Sequence, residues 1–283
     1  MSKTLSLRSL LGSTSLPRNE AHILMAHVLD KHYQLPRSTL ISRDEMELSP
    51  SASEEWRTLE SRRLNGEPVA YLVGKRGFHK IELQVAPGVL IPRPETELLV
   101  DIALQEIKRI ENSIPSPKIL DLGTGSGAIA LAIANVASNA QVIATDQSAE
   151  ALAIAKLNAK SLGLETRVEF APGSWYQALK ENDIFDIILS NPPYIPNHER
   201  LPQEVIGFEP EMALRGGAGD GMDVPKLFIS AAARLLKPGG YFIMEHHETQ
   251  RELVKNALQS EFKNIQNISD LTGRDRFTSG IKS

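Results

Sequence analysis

The chain has no cysteine among its 283 residues. It can therefore form no disulfide, and no thiolate can act as a nucleophile or as a metal ligand. The absence of cysteine suits a reducing compartment, and we expect the protein to be cytoplasmic.

Long apolar runs are also missing. The first 20 residues have no sustained apolar core of the length that a signal peptide needs. No other window approaches the apolar run of a membrane-spanning helix, so we expect no membrane association.

The charge shows no excess of one sign. The chain carries 31 basic and 35 acidic residues, a formal net charge of −4, and 41% of its residues are hydrophobic. Residues 1–77 hold 11 basic and 9 acidic residues. This composition is typical of a globular protein and lacks the basic excess of a nucleic-acid-binding region, so we expect no direct sequence-specific contact with nucleic acid.

The pattern of apolar and polar residues changes near Gly77. Before it, Glu20–Asp30 and Glu54–Leu64 have helical periodicity, the second with Ser51 and Ser53 as candidate N-caps. After it, residues 78–85 alternate between apolar and polar side chains, as a strand or hairpin arm does. We therefore predict a helical domain at 1–77, a hairpin linker at 78–94 and a catalytic domain at 95–283.

The catalytic region opens with a predicted helix at Glu95–Glu111, whose apolar stripe should face a core: Leu99, Ala103, Ile107 and Ile110. Strands and helices then alternate, which indicates a mostly parallel α/β sheet covered on both faces. The predicted strands are Lys118–Leu122, Gln141–Thr145, Arg167–Ala171, Asp186–Ser190 and Tyr241–Glu245. The predicted helices are Ala128–Ala137, Ala149–Leu162, Tyr176–Lys180 and Val224–Leu236. Asn264–Ser269 and Arg276–Lys282 are candidate strands for an antiparallel edge.

A glycine-rich loop follows the first of these strands, which ends with Asp121 and Leu122. It comprises Gly123, Thr124, Gly125, Ser126 and Gly127, and it leads directly into a helix. Glycines at such a turn let backbone N–H groups approach a ligand beside a helix N-terminus, and Asp146 after the next strand can accept from both ribose hydroxyls. The pattern from Gly123 to Ala128 also satisfies the dinucleotide fingerprint, so at this point the nucleoside cofactor could equally be NAD.

The tetrapeptide Asn191-Pro192-Pro193-Tyr194 follows the fourth predicted strand and favours methyl transfer from S-adenosylmethionine to a planar nitrogen. A conjugated nitrogen is a poor nucleophile and needs acceptors that hold its two N–H bonds. The Asn191 side-chain oxygen and the Pro192 carbonyl are suited to this task, and the two prolines restrict the backbone before substrate binds. The Tyr194 ring offers a face to a planar group. Hydride transfer has no use for this arrangement.

On these motifs the chain resembles the peptide chain release factor N(5)-glutamine methyltransferases, over nearly its whole length. The most specific stretches are Leu90-Ile-Pro-Arg-Pro-Glu-Thr-Glu97, Asp121-Leu-Gly-Thr-Gly-Ser-Gly127 and Ser190-Asn-Pro-Pro-Tyr-Ile195. Supporting stretches are Glu67-Pro-Val-Ala-Tyr71, Glu209-Pro-Glu-Met-Ala-Leu214, Gly216-Gly217 and Gly273-Arg-Asp-Arg276. The chain departs from the family pattern at Ser174 and at His247, where an acidic residue and a glycine are usual.

The resemblance implies a Rossmann-like class I methyltransferase domain with a seven-stranded sheet, preceded by a helical domain that engages the release factor and a hairpin linker. It implies that Gly123–Gly127, Asp146 and Asn191 contact S-adenosylmethionine and that Trp175 lies by the adenine. Asn191 and Pro192–Tyr194 would form the pocket for the glutamine of the release factor's Gly-Gly-Gln loop.

Other interpretations remain open from the sequence. A DNA or RNA amino-methyltransferase uses the same tetrapeptide, and a binding module could keep the cofactor pocket without turnover. Trp175 could be a core residue, and Arg93, Glu95 and Glu97 could be structural as readily as substrate-binding. No third ligand is spaced to join the pair His246 and His247, so we expect no metal.

Overall fold

The computed structural model describes residues 5–174, 179 and 183–283. The described chain divides into two compact units. One comprises the residues up to Lys75 together with Pro202–Phe208, and the other comprises Arg76–Leu201 and Glu209–Ser283. The predicted division into 1–77, 78–94 and 95–283 stays a prediction. The segment 202–208 is a part of the first unit that no local pattern indicated.

The first unit is helical. Its helices are α1 (Leu7–Ser13), α2 (Arg18–Tyr33), α3 (Thr39–Ser42), α4 (Pro50–Leu64), α5 (Val69–Val73) and, from the later segment, α9 (Gln203–Ile206). Both predicted helices are confirmed as α2 and α4, but the predicted caps of α4 are wrong. Ser49 caps it, because its hydroxyl accepts from the Ala52 N–H and Pro50 then occupies the first helical position.

Apolar side chains of α1, α2, α4 and α5 form the core of this unit, including Leu24, Met25, Leu29 and Trp56. The Arg63 guanidinium lies at its edge, with Nε 2.7 Å from Glu20 and Nη2 3.0 Å from Glu204. This pair of contacts joins α4 to α2 and to α9.

The second unit contains the strands. They are β1 (Lys75–Phe78), β2 (Ile81–Gln84), β3 (Lys118–Leu122), β4 (Gln141–Asp146), β5 (Val168–Pro172), β6 (Phe185–Ser190), β7 (Ile195–Pro196), β8 (Arg215–Gly217), β9 (Leu236–Glu245), β10 (Phe262–Ser269) and β11 (Asp275–Lys282). Its helices are α6 (Glu97–Ile110), α7 (Ala128–Val136), α8 (Ala149–Ser161), α10 (Asp223–Leu235) and α11 (Arg251–Leu258). A 3-10 turn at Pro94–Thr96 precedes α6.

Seven strands form one sheet in the order β10-β11-β9-β6-β3-β4-β5. The pairs from β5 to β9 are parallel, and β10 and β11 add an antiparallel edge. The predicted sheet and edge are therefore confirmed. The predicted helix at Tyr176–Lys180 lies, apart from Leu179, outside the described residues.

Helices cover both faces of this sheet. The cluster on one face contains α7 and the buried stripe of α6, in which Leu99, Ala103 and Ile107 are buried as predicted and Ile110 is partly buried. The opposite face packs against α10 and α11. The chain leaves β3 toward β4 on one side, while β6 lies on its other side, so the strand order reverses between β3 and β6. In such sheets this switch point opens a crevice at the carboxyl ends of the strands.

Candidate active site

The loops after β3 and β6 lie side by side at this crevice. Leu122 pairs with Ser190, and the Ser190 hydroxyl donates to the Leu122 carbonyl at 3.0 Å. The register therefore brings the glycine-rich loop and the Asn-Pro-Pro-Tyr segment together, although they are far apart in the chain.

The glycine-rich loop turns sharply between β3 and α7. Gly123, Gly125 and Gly127 all have positive φ, a backbone conformation that residues other than glycine rarely adopt. The N–H of Gly123 and of Thr124 both donate to the Thr145 carbonyl at 2.9 Å, which ties the loop to the end of β4. These bonds fix the start of the loop beside the end of β4.

Asp121 lies beneath this loop, fully buried. Its Oδ2 accepts from the Thr124 hydroxyl at 2.6 Å and from the Ala130 N–H at 3.2 Å, while Oδ1 has no partner among the described residues. Burial raises the pKa of Asp121 to about 7. This buried carboxyl therefore holds the loop through Thr124 and keeps one acceptor without a partner among the described residues.

Asp146 ends β4 at the rim of the crevice. Its Oδ2 accepts from the Gly125 N–H at 2.8 Å and its Oδ1 from the Ser148 N–H at 2.9 Å. Burial raises the pKa of this carboxyl as well. The Gln147 backbone N–H also donates to this carboxylate. A carboxylate has about four acceptor sites, so Asp146 can shape the loop and still accept from a ligand hydroxyl.

A cavity of ≈ 230 Å³ occupies the crevice. Five of the predicted site residues line it: Gly123, Gly125, Asp146, Asn191 and Pro193. Its remaining lining includes Leu90, Leu122, Ser148, Met212 and Phe228, most of which are apolar. Thr124, Ser126, Gly127, Pro192 and Tyr194 are not among the lining residues, and Trp175 lies outside the described residues.

The side chain of Asn191 is oriented by a residue that sequence reasoning did not select. Its Nδ2 donates to the Thr96 hydroxyl at 3.1 Å, and Thr96 donates to Glu245 Oε2 at 2.7 Å. Thr96 and Glu245 are both buried. Because one end of the amide is engaged by Thr96, Oδ1 is the end that remains for a ligand in the cavity.

Tyr194 contacts the same carboxylate. Its hydroxyl donates to Glu245 Oε1 at 3.1 Å. Burial, and then the charge of Glu245, raises the pKa of the phenol, while burial raises the pKa of Glu245 to about 7. The sequence pointed to the ring face of Tyr194 and missed this bond of its hydroxyl. No sequence signal pairs residues so far apart.

The Asn-Pro-Pro-Tyr segment is fixed by the Gln250 side chain and by close packing against β8. The Gln250 side chain donates to the carbonyls of Tyr194 and Asp220 at 2.8 and 2.7 Å. A Cβ on Gly216 would lie 2.7 Å from the Tyr194 Cα. Glycine is therefore required where β8 passes the segment.

The neighbouring Leu90–Glu97 stretch is tied to Glu209 through Arg93 and Ile91. Arg93 Nη2 donates to the buried Glu209 at 2.6 Å, and the other Glu209 oxygen accepts from the Ile91 N–H at 3.1 Å. Arg93 is therefore a structural clamp that fixes the segment before α6. Thr96, which lies between Glu95 and Glu97, makes the contact with Asn191.

The histidine pair is also structural. His246 is buried, with Nε2 2.8 Å from the Thr278 hydroxyl. The side chain of His247 accepts from the Thr249 N–H and caps the turn before α11. Within residues 5–174, 179 and 183–283, no three His, Asp or Glu side chains come together in a way that could hold a metal. In the same residues no helix is long and apolar enough to cross a membrane. Ser174, the other departure, has its hydroxyl 3.4 Å from Gln147.

Residues 115–279 match the methyltransferase domain family. The fold agrees with this class. The 16S rRNA methyltransferase RsmC of T. thermophilus, solved in complex with AdoMet and guanosine, superposes with a TM-score of 0.52 at 22% identity, over 74% of this chain and 50% of that one. A methyltransferase from Pyrococcus furiosus gives 0.52 at 17% identity, over 80% and 98% of the two chains.

Residues 6–74 match the PrmC N-terminal domain. The release factor glutamine methyltransferase of Bordetella pertussis is 42% identical over 97% of this chain and 98% of its own. The enzymes of the same name from Xylella fastidiosa and Aliivibrio fischeri are 42% and 39% identical over 94% and 99% of this chain, and 93% and 95% of theirs. The chain belongs to the release factor glutamine methyltransferase family.

Proposed function

We propose that this protein transfers a methyl group from S-adenosylmethionine to the side-chain amide nitrogen of the glutamine in the Gly-Gly-Gln loop of peptide chain release factors. Membership of the family supports the reaction. The observation that carries it is the amide of Asn191, which lines the cavity with its Nδ2 engaged by Thr96 and its Oδ1 left for a substrate N–H.

The cavity fits S-adenosylmethionine by the chemistry of its lining. It combines an apolar wall with the exposed backbone of a glycine loop, and the orphaned Oδ1 of Asp121 lies beneath that loop. We assign the cofactor to Gly123–Gly127 and Asp146, with Trp175 beside its adenine. When bound, it supplies an electrophilic methyl group on a sulfonium that departs as a neutral thioether.

The protein's own residues orient the substrate nitrogen. Asn191 Oδ1 and the Pro192 carbonyl accept its two N–H bonds, and Pro193 and Tyr194 shape the pocket around the planar amide. The N–C bond forms as the S–C bond breaks, and the nitrogen then loses one proton. Because the nitrogen becomes acidic as it is methylated, the step needs neither a nucleophilic side chain nor a strong base.

We assign recognition of the protein substrate to residues 1–77, linker function to 78–94 and catalysis to 95–283. One glutamine on a protein loop offers little surface, so specificity needs contacts remote from the reacting atom. A protein that modifies release factors works in the cytoplasm, which accords with a chain that lacks cysteine.

Intact-protein mass spectrometry of a release factor tests the proposal. After incubation with the full chain and S-adenosylmethionine, the release factor should gain the mass of one CH2 unit, because the added methyl group replaces one hydrogen. A release factor whose Gly-Gly-Gln glutamine is replaced by alanine should gain none.

Two outcomes would contradict the proposal. One is a mass gain that persists in the alanine-substituted release factor, and the other is methylation of DNA or RNA without methylation of the release factor. The second outcome would favour the amino-methyltransferase alternative, which the balanced charge of residues 1–77 does not support.

A further inference from the structure

Four side chains form one connected hydrogen-bond system behind the cavity. Asn191 bonds to Thr96 at 3.1 Å, and Thr96 bonds to Glu245 at 2.7 Å. Tyr194 bonds to the second oxygen of Glu245 at 3.1 Å. Thr96 is 4% exposed and Glu245 is 1% exposed, so water does not compete for these bonds. Both functional side chains of the tetrapeptide therefore depend on one carboxylate.

The direction of the bonds follows from the chemistry of each group. The Asn191 Nδ2 atom only donates, so the Thr96 oxygen must accept from it. The single Thr96 proton is then directed at Glu245, which must accept. The tyrosine hydroxyl donates to the other oxygen. An ionised Glu245 satisfies both donors, and the Asn191 oxygen is turned away from Thr96.

A protonated Glu245 would reverse the polarity of this system. A proton on Oε2 would be donated to Thr96, whose own proton would then need an acceptor on Asn191. Asn191 Oδ1 can meet that need only after the amide turns over, which would present Nδ2 to the cavity. The two N–H groups of Asn191 Nδ2 would then face the N–H bonds of the substrate, and no acceptor would remain for them.

We propose that Glu245 and Thr96 are positioning residues, which hold Asn191 with its oxygen toward the substrate as long as Glu245 is ionised. This assignment rests on the proposed methyl transfer to an amide nitrogen. Neither residue touches the reacting atoms; each acts through Asn191, and Glu245 acts also through Tyr194.

Burial, hydrogen bonds and nearby charges all shift the pKa of Glu245. Burial, the largest effect, raises the pKa of Glu245 to about 7. The hydrogen bonds from Thr96 and Tyr194 and the charge of Arg276 on β11 lower it, and Glu95 from the turn before α6 raises it. Arg93 is a further charge that faces Tyr194. Turnover should therefore fall with acid over a range in which exposed carboxylates remain ionised.

The substitutions Thr96→Val and Thr96→Ser test the relay. Valine keeps the shape of threonine without the hydroxyl, and serine keeps the hydroxyl. On the release factor, Thr96→Val should lose about 10- to 100-fold in kcat, as expected when a supporting hydrogen bond is removed. Thr96→Ser should stay within a few-fold of wild type, and calorimetry should give all three the same affinity for S-adenosylmethionine.

Glu245→Gln provides a second test through the pH profile at saturating cofactor. The wild-type kcat should decline on the acid side, and the part of this decline that Glu245 causes should be missing in Glu245→Gln. Asp121 is unchanged in both proteins, so its own titration cancels in the comparison.

An acid decline in Glu245→Gln that equals the wild-type decline, or a Thr96→Val variant that matches Thr96→Ser, would overturn the assignment of these residues. Failure of the wild-type protein to methylate the release factor would instead overturn the proposed function. The wild-type assay therefore separates the two failures.

Discussion

The side-chain amide of Asn191 donates to Thr96 through its nitrogen, and we assign to its oxygen the hydrogen bond from a substrate N–H. Asn191→Ala should lower kcat by a factor of about 100 or more, as is usual when one preorganised hydrogen-bonding group is lost. Its affinity for S-adenosylmethionine should change little. Single-turnover assays and calorimetry check the two parts.

The matched control is Asn197→Ala, since Asn197 is exposed and lies six positions later in the same segment. This variant should keep wild-type turnover. If Asn191→Ala also kept turnover within a few-fold, the assigned mechanism would be wrong.

Asp146 combines two tasks, because its carboxylate holds the Gly125 and Ser148 N–H groups and also borders the cavity. Asp146→Ala should weaken cofactor affinity more than it slows turnover at saturating cofactor. Each charge-assisted hydrogen bond is worth about 1.5–3 kcal/mol. Calorimetry on this variant and on Glu150→Ala, an exposed acid in the next helix, measures the difference. Equal affinities would remove Asp146 from the site.

At the scale of elements, β8 determines where the Asn-Pro-Pro-Tyr segment lies. A methyl group on Gly216 would meet the Gly221 carbonyl at 2.1 Å and the Tyr194 Cα at 2.7 Å, and both are backbone atoms that cannot rotate away. Gly216→Ala should therefore destabilise the protein by about 1–3 kcal/mol and lower kcat as the segment shifts.

Gly77→Ala is the control for this prediction, because no atom lies within 4 Å of the added methyl group there. Thermal unfolding and kcat should be near wild type in this control. A Gly216→Ala protein with unchanged turnover would show that the segment does not need β8 to hold its position.

At the scale of the whole molecule, two buried carboxyl groups make folding depend on pH. Burial raises the pKa values of Asp121 and Glu245 to about 7, above their ordinary values. At pH values between their ordinary pKa values and about 7, the folded state binds more protons than the unfolded state. Their contribution to stability is therefore complete below the unfolded pKa and is lost as the pH rises through about 7.

Asp121→Asn removes one of these two titrations while keeping an acceptor for Thr124 and Ala130. Its free energy of unfolding should fall less than that of wild type between about pH 5 and about pH 8. Urea titrations at several pH values, without cofactor, measure how steeply the free energy of unfolding of each protein changes with pH. Parallel slopes would mean that Asp121 is ionised in the folded protein throughout this range.

The assignment of residues 1–77 to substrate recognition is also a prediction about the whole molecule. A chain of residues 78–283 that gives a cooperative thermal transition should bind S-adenosylmethionine nearly as tightly as the full chain. Its kcat/KM on an intact release factor should be much lower. A short Gly-Gly-Gln peptide should be a poor substrate for both, and equal kcat/KM on the intact release factor would refute the assignment.

Much of this protein follows from local sequence. A strand, a glycine turn and a helix within a few residues determine the cofactor loop, because short-range backbone preferences decide such a turn. Two adjacent prolines likewise restrict the tetrapeptide wherever it lies. The alternation of strands and helices predicted the sheet, its covered faces and its antiparallel edge.

Only the tertiary structure decided what surrounds those motifs. Thr96 precedes Asn191 by 95 positions, and Glu245 follows Thr96 by 149, so no local pattern relates them. They meet because the sheet order places β9 beside β6, and because Glu209 clamps Arg93 ahead of α6. Local sequence selects the reacting groups, whereas the pairing of distant strands decides which buried groups orient them.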